Sequence, residues 1–142
     1  MNHLNNSKYI DYMINAREDQ LEQFYNLPIY SYAMTEQKGW VVGKNEIVYK
    51  RPALLMEKVL FRSRVIYYGP KRIHVEITMH DEKDTHLKAI LWSTFVHIDM
   101  KTGRAIAHDA KIEELPITEG LMKYWFTHQE ADSLMKAVRF LF

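Results

Sequence analysis

Residues 5–25, NNSKYIDYMINAREDQLEQFY, constrain the fold more than any other stretch. Wound into a helix, Ile10, Met13, Ile14, Leu21 and Phe24 fall along one broad apolar stripe, and Ala16 joins it at lower volume. Asp11, Glu18, Asp19 and Glu22 fill much of the opposite face. Asn5, Asn6 and Ser7 offer side-chain acceptors to the free N–H groups of the first turn. Pro28 bounds the end, because it restricts the residue before it and cannot extend the hydrogen-bond ladder. A single long helix ahead of mostly strand-like sequence needs a sheet to bury its stripe. The expected solution is a strongly curved antiparallel sheet wrapped around a central helix, an α+β fold.

The strand signals follow in order. Residues 27–38, with Pro28, Tyr30 and Tyr32, read as a connector with a short strand or turn. Residues 40–50 make an imperfect alternation with Gly43 as a candidate bulge, and Pro52 ends it. Residues 58–68 alternate up to the Gly69-Pro70 turn. Residues 72–80 alternate cleanly, Ile73, Val75, Ile77 and Met79 against His74, Glu76, Thr78 and His80, which predicts a half-buried antiparallel strand. A long strand over 86–100 follows, then the turn Lys101-Thr102-Gly103-Arg104. Thr127 and Glu130 have capping-box spacing ahead of Ala131, Leu134, Met135, Val138 and Leu141, so 117–142 is expected to be a mainly helical extension of a single 1–142 domain.

Composition removes several function classes. Lys and Arg number 19 against 18 Asp and Glu, so charge makes no case for nucleic acid. With no cysteine there is no disulfide, thiolate nucleophile or thiolate-rich metal site. No apolar run has the length of a membrane span, and the polar N-terminus carries no signal segment, so a cytoplasmic location is the expectation. The seven histidines form no HExxH and no compact cluster with carboxylates, which favours ordinary strand-face positions over a metal site. Neither a Gly-rich nucleotide cradle nor a GxSxG elbow occurs. No cofactor is expected.

His3, Asn5 and Asn6 differ in kind. A histidine and two amides beside a helix N-terminus place donors at the positive end of the dipole, where a carbonyl oxygen turning negative in acyl transfer could be held. Simple capping by Asn5 and Asn6 is the competing account.

The segment His3-Leu4-Asn5-Asn6-Ser7-Lys8-Tyr9-Ile10 resembles the HxNNxxY motif of the hotdog-fold thioesterases, the acyl-CoA and acyl-carrier-protein group related to 4-hydroxybenzoyl-CoA thioesterase. Ala16-Arg17 fits recurring residues further along the same helix. Tyr49-Lys50-Arg51-Pro52-Ala53 resembles the family's Tyr-x-x-Pro-Ala strand ending, and Phe95-Val96-His97-Ile98-Asp99 with Thr102-Gly103-Arg104 its last long strand and turn. The match runs over roughly residues 3–115.

The resemblance implies a hotdog fold, a homodimer or homotetramer, and metal-independent hydrolysis of an acyl-CoA or acyl-carrier-protein thioester in fatty acid metabolism. It places His3, Asn5 and Asn6 at the thioester carbonyl. Tyr9 and Met13 are then expected to floor the pocket, and Arg51, Arg64 and Arg72 are candidate phosphate contacts by side-chain chemistry. The family's acidic residue stands a few positions ahead of the one matched by His3, and a first strand precedes it. The present sequence starts at Met1. Three readings follow: a shortened chain whose upstream extension would supply both, a substitute carboxylate, or a non-catalytic acyl- or CoA-binding or assembly module on the same fold. Without the first strand, a sheet edge needs cover from the C-terminal tail or a partner.

Overall fold

A computed structural model describes Leu4 and residues 6–25, 29–54, 57–109 and 122–127. Two helices, α1 (Asn6–Tyr25) and α2 (Ile29–Glu36), precede four long strands, β1 (Lys38–Tyr49), β2 (Lys58–Tyr68), β3 (Arg72–Asp81) and β4 (Leu87–Asp99). A fifth strand, β5 (Met122–Thr127), closes the order. All neighbours are antiparallel in one sheet of order β1-β4-β3-β2-β5.

The period-two pattern sets the two faces. Ile73, Val75, Ile77 and Met79 of β3 and Ala89, Leu91, Ser93, Phe95 and His97 of β4 are buried on the helix side. The residues between them, such as Glu76, Trp92 and Thr94, stay half-buried on the other side. The register slips between Val42 and Lys44, at the glycine predicted to bulge. Gly103 takes φ 71°, the left-handed conformation its turn requires, and its N–H donates to the Asp99 carbonyl at 2.7 Å.

The single-helix wrap expected from the sequence is corrected. Among the described residues the sheet is open, with β1 and β5 at its edges, and is not strongly curved or closed around α1. Helix α1 packs against β2, β3, β4 and β5, while α2 packs beside β1. The segment 27–38, expected as a connector, contains α2, which buries Tyr32 and Ala33. Two helices therefore share the cover of one face, so the sheet has no need to curl around one. Within 117–142, residues 122–127 form a strand that pairs with β2 and covers that edge of it. Thr127, expected to cap a helix, ends β5, and the residues expected to form that helix lie outside the described residues.

Helix α1 departs from its expected polarity as well. Met13 and Ala16 are fully buried, as the stripe requires, but Asn15, Arg17 and Glu18 are buried too. The Arg17 guanidinium donates to Ser63 Oγ at 2.9 Å. Among the described residues neither carboxylate oxygen of Glu18 has a hydrogen-bond partner, and burial pushes its pKa up to about 9. The folded state thus holds a proton that the unfolded chain releases above its ordinary value of 4.5. The stability that Glu18 contributes must therefore fall as pH rises from about 4.5 toward about 9. The isosteric, neutral Glu18→Gln is expected to raise the melting temperature at pH 8 and to flatten this decline. Thermal denaturation of both proteins between pH 5 and 9 checks it; equal slopes would refute the assignment.

Candidate active site at the start of α1

The first turns of α1 are held against the end of β1 by a short set of bonds. The Leu4 N–H donates to the Ala53 carbonyl at 2.6 Å, and the Ala53 N–H donates to Tyr9 Oη at 2.8 Å. The Tyr49 hydroxyl donates to the Asn6 carbonyl at 3.2 Å, and the Tyr9 and Tyr49 rings meet edge-on at 5.1 Å. Sequence explains the geometry: Pro52 stops β1 from continuing, and the small Ala53, fully buried, lets the loop backbone approach the helix. Between them lies a hollow of about 190 Å³ lined by Leu4, Asn6, Tyr9, Tyr49, Lys50, Arg51 and Pro52.

This hollow unites some of the residues expected to act together and leaves others out. Asn6 is exposed at its rim, Tyr9 is buried in its wall, and Arg51 is exposed beside it. Met13 sits one turn further along α1, wholly in the core, so it packs beneath the site without lining it. His3 and Asn5 lie outside the described residues. Arg64 is elsewhere, on the face away from the helices and paired with Glu76 at 3.0 Å. Arg72 is also on that face, opposite Val96, seven residues along β4 from the Ala89 that faces Tyr49. At the ordinary strand rise that is roughly 23 Å from the hollow. There it borders a separate concavity of about 470 Å³ with Lys44, His74 and Trp92.

No carboxylate lines the α1 hollow among the described residues. Glu18 cannot supply one: it stands twelve residues beyond Asn6, roughly 18 Å along the helix axis, and burial keeps it protonated. Among the described residues no three His, Asp or Glu side chains converge as metal ligands, and no helix is long and apolar enough to cross a membrane.

The far end of the sheet holds a polar cluster that sequence reasoning did not single out. His74 and His97, on the neighbouring strands β3 and β4, point to opposite faces. His97 instead packs against both Trp40 (4.7 Å) and His108 (5.1 Å), which also meet each other at 5.8 Å, with its Nε2 3.2 Å from the Tyr32 hydroxyl and its Nδ1 3.1 Å from the Ala107 carbonyl. The Tyr32 hydroxyl donates to Asp109 at 3.0 Å. Trp40 Nε1–H donates to His108 Nε2, and His108 Nδ1 lies 3.0 Å from the Gly69 carbonyl, which fixes the neutral Nδ1–H tautomer. With His97 fully buried, this cluster is a structural pin between α2, β1, β4 and the segment after it.

With this geometry in place, similarity to known proteins defines the class. The family model of the thioesterase-like superfamily matches residues 1–129. The chain belongs to this superfamily of hotdog-fold thioesterases, and its class is that of thioester hydrolases. Among individual relatives, it is 30% identical to the long-chain acyl-CoA thioesterase FadM of Escherichia coli (strain K12) over 114 residues, 79% of this chain and 83% of that protein. The crystal structure of YbaW, a probable thioesterase from Escherichia coli, matches with a TM-score of 0.67 and 27% identity, over 80% of this chain and 83% of that one. Slr0204, a 1,4-dihydroxy-2-naphthoyl-CoA thioesterase from Synechocystis, shares the fold at a TM-score of 0.71 and 12% identity, over 79% and 81% of the two chains.

Two outcomes test the anchoring just described. Tyr9→Phe leaves the buried Ala53 N–H without its acceptor, so urea denaturation should show a loss of about 1–3 kcal/mol. A loss below about 0.5 kcal/mol would mean that the bond does not hold the helix start. At the other end, burial lowers the pKa of His97 below its ordinary 6.5, so the unfolded chain takes up the proton first. The stability this contributes is present above 6.5 and is lost as pH falls through the lowered folded value. The urea midpoint should therefore drop below pH 6.5, and a folded His97→Gln variant should show a shallower drop.

Proposed function

We propose that this chain hydrolyses acyl-CoA thioesters at the start of α1. The observation that carries the reading is the hollow itself. The helix start is fixed by two Ala53 bonds so that Leu4, Asn6 and Tyr9 border an open, partly polar cavity. In this reading the thioester carbonyl oxygen lies against His3, Asn5, Asn6 and the helix end. Water attacks the carbonyl carbon, the negative charge collects on that oxygen, and the C–S bond then breaks to release the thiol and the free acid. Tyr9 shapes the wall, and Met13 supports it from the core. Arg51, exposed on the rim, is the candidate contact for the phosphates of the coenzyme A arm. Arg72, with Lys44 nearby, offers a second cationic position on the other face; Arg64 is engaged with Glu76.

Long-chain acyl-CoA is the first substrate to try, given the likeness to FadM. Acyl-carrier-protein thioesters present the same bond and arm, so they belong in the same panel. We further propose a cytoplasmic homodimer or homotetramer. The half-buried far face of the sheet, with Trp92 and Val96, is surface that a second copy can cover. Light scattering showing only monomer at micromolar concentration would reject the assembly.

Thiol release across acyl chain lengths tests the activity. Asn6→Ala is expected to lower kcat by roughly 10-fold to 100-fold on the best substrate. Clean protein that releases no thiol from any of them would overturn the reading. The absence of a carboxylate lining the hollow among the described residues would then favour the second one, a non-catalytic acyl- or CoA-binding module. Native mass spectrometry finding a retained acyl ligand on inactive protein would support that module.

A further inference from the structure

We infer that Lys88 is a positioning residue for the site at the start of α1. The inference rests on the thioesterase reading only for its kinetic consequence; the structural link stands by itself. Lys88 is the second residue of β4, and only 8% of its surface is exposed. Its Nζ donates to the Pro52 carbonyl at 3.0 Å and lies 3.0 Å from Glu57 Oε2. Its own carbonyl accepts the N–H groups of both Lys50 and Arg51, at 2.8 and 3.1 Å. Glu57 in turn accepts the Leu54 N–H at 2.9 Å through its other oxygen.

One buried cation therefore holds the loop 50–54 from two directions, through its backbone at the loop start and through its side chain at Pro52. That loop carries Ala53, whose N–H and carbonyl fix Tyr9 and Leu4. The line of force runs from β4 through Lys88 to Pro52, on to Ala53, and from there to the first turn of α1. No atom of Lys88 borders the α1 hollow; its side chain lies on the other side of the Arg51-Pro52 wall, in a second depression with Glu57 and Leu54. Removing the ammonium frees the Pro52 carbonyl and leaves the Glu57 carboxylate half-enclosed without its cation. The loop then keeps its backbone bonds at Lys50 and Arg51 and its ties to Glu57 and the helix start but loses the anchor at Pro52, and the loop and helix end can drift together relative to the bound thioester. Small displacements of groups that hold a reacting carbonyl act on the transition state more than on substrate binding.

The test compares Lys88→Met, Lys88→Arg and Glu57→Gln with the parent protein by two readouts, acyl-CoA turnover and NMR amide exchange. For Lys88→Met, kcat is expected to fall roughly tenfold or more with KM changed by less than about threefold. Exchange of the Ala53 amide should quicken by roughly tenfold, while the Ile77 and Leu91 amides at the sheet centre keep their protection. Lys88→Arg, which keeps a donor able to reach Pro52, should restore most of both. Glu57→Gln leaves the Lys88 link to Pro52 in place, so kcat and Ala53 protection should stay within about twofold even if melting temperature falls.

A folded Lys88→Met with parental kcat and parental Ala53 exchange would overturn the inference. So would Glu57→Gln losing kcat while Ala53 stays protected, because the ion pair and not the Pro52 link would then govern activity. If Lys88→Met does not fold, Lys88→Gln takes its place, too short to reach Pro52 yet polar, and the same two readouts decide. If the parent protein shows no turnover, the thioesterase reading fails, and the exchange data alone still decide whether Lys88 holds the loop.

Discussion

Ala53 joins helix to sheet. Its N–H reaches Tyr9 Oη and its carbonyl takes the Leu4 N–H, so a single residue fixes both the position and the direction of the helix start. Larger side chains at this fully buried position would push the loop off the helix. Everything of chemical interest at this end of the molecule is referred to that contact: Asn6 at the rim, the Tyr9–Tyr49 edge, and the exposed Arg51. A helix N-terminus is useful to an acyl-transfer reaction only if it is held still. Its dipole acts over a short range, and a freely moving end would average the field away.

The two ends of the sheet solve different problems. At the α1 end, backbone amides, two tyrosines and the buried Lys88–Glu57 pair position an open hollow. At the α2 end, Tyr32, Trp40, His97, His108 and Tyr68 stack into a closed cluster whose polar atoms bond mainly to one another and to nearby carbonyls. The closed cluster ties α2 and the segment after β4 to the sheet. The open one leaves polar groups facing solvent, where a substrate can reach them. The buried imidazoles of His97 and His108 at one end and the exposed Arg51 at the other are thus separated by the length of the strands.

Charge is divided in a similar way. Glu18 is enclosed and neutral, Lys88 is enclosed but paired, and Arg51, Lys44 and Arg72 lie at the surface. The carboxylate in the helix is thereby removed from chemistry, while the cations remain available to anionic groups on two faces. A buried acid without a partner is costly unless it keeps its proton, and here the helix interior settles that choice.

The sequence by itself determined the elements whose signal is local. The period of 58–68 and 72–80 marked β2 and β3, Gly43 marked the bulge, Pro52 the end of β1, and Asn5-Asn6-Ser7 the start of α1. The HxNNxxY and Tyr-x-x-Pro-Ala segments also disclosed the family, because they are short and contiguous. The tertiary structure decided what depends on residues far apart in the chain. Segment 29–36 became a helix because Tyr32 and Ala33 find a core there, against a local pattern that Pro28 and the tyrosines blurred. Residues 122–127 became a strand because β2 offered an edge, a partner that no local propensity can reveal. Glu18 looked solvent-facing by helical period and proved buried. The three arginines had the same chemistry in the sequence, yet strand register sent Arg51 to the hollow and Arg64 and Arg72 to the opposite face. Lys88 gave no signal at all, since a lysine at a strand start reads as surface until the fold closes Glu57 and Pro52 around it. Local periodicity specifies which way a side chain points from its own element; only packing specifies what it meets there.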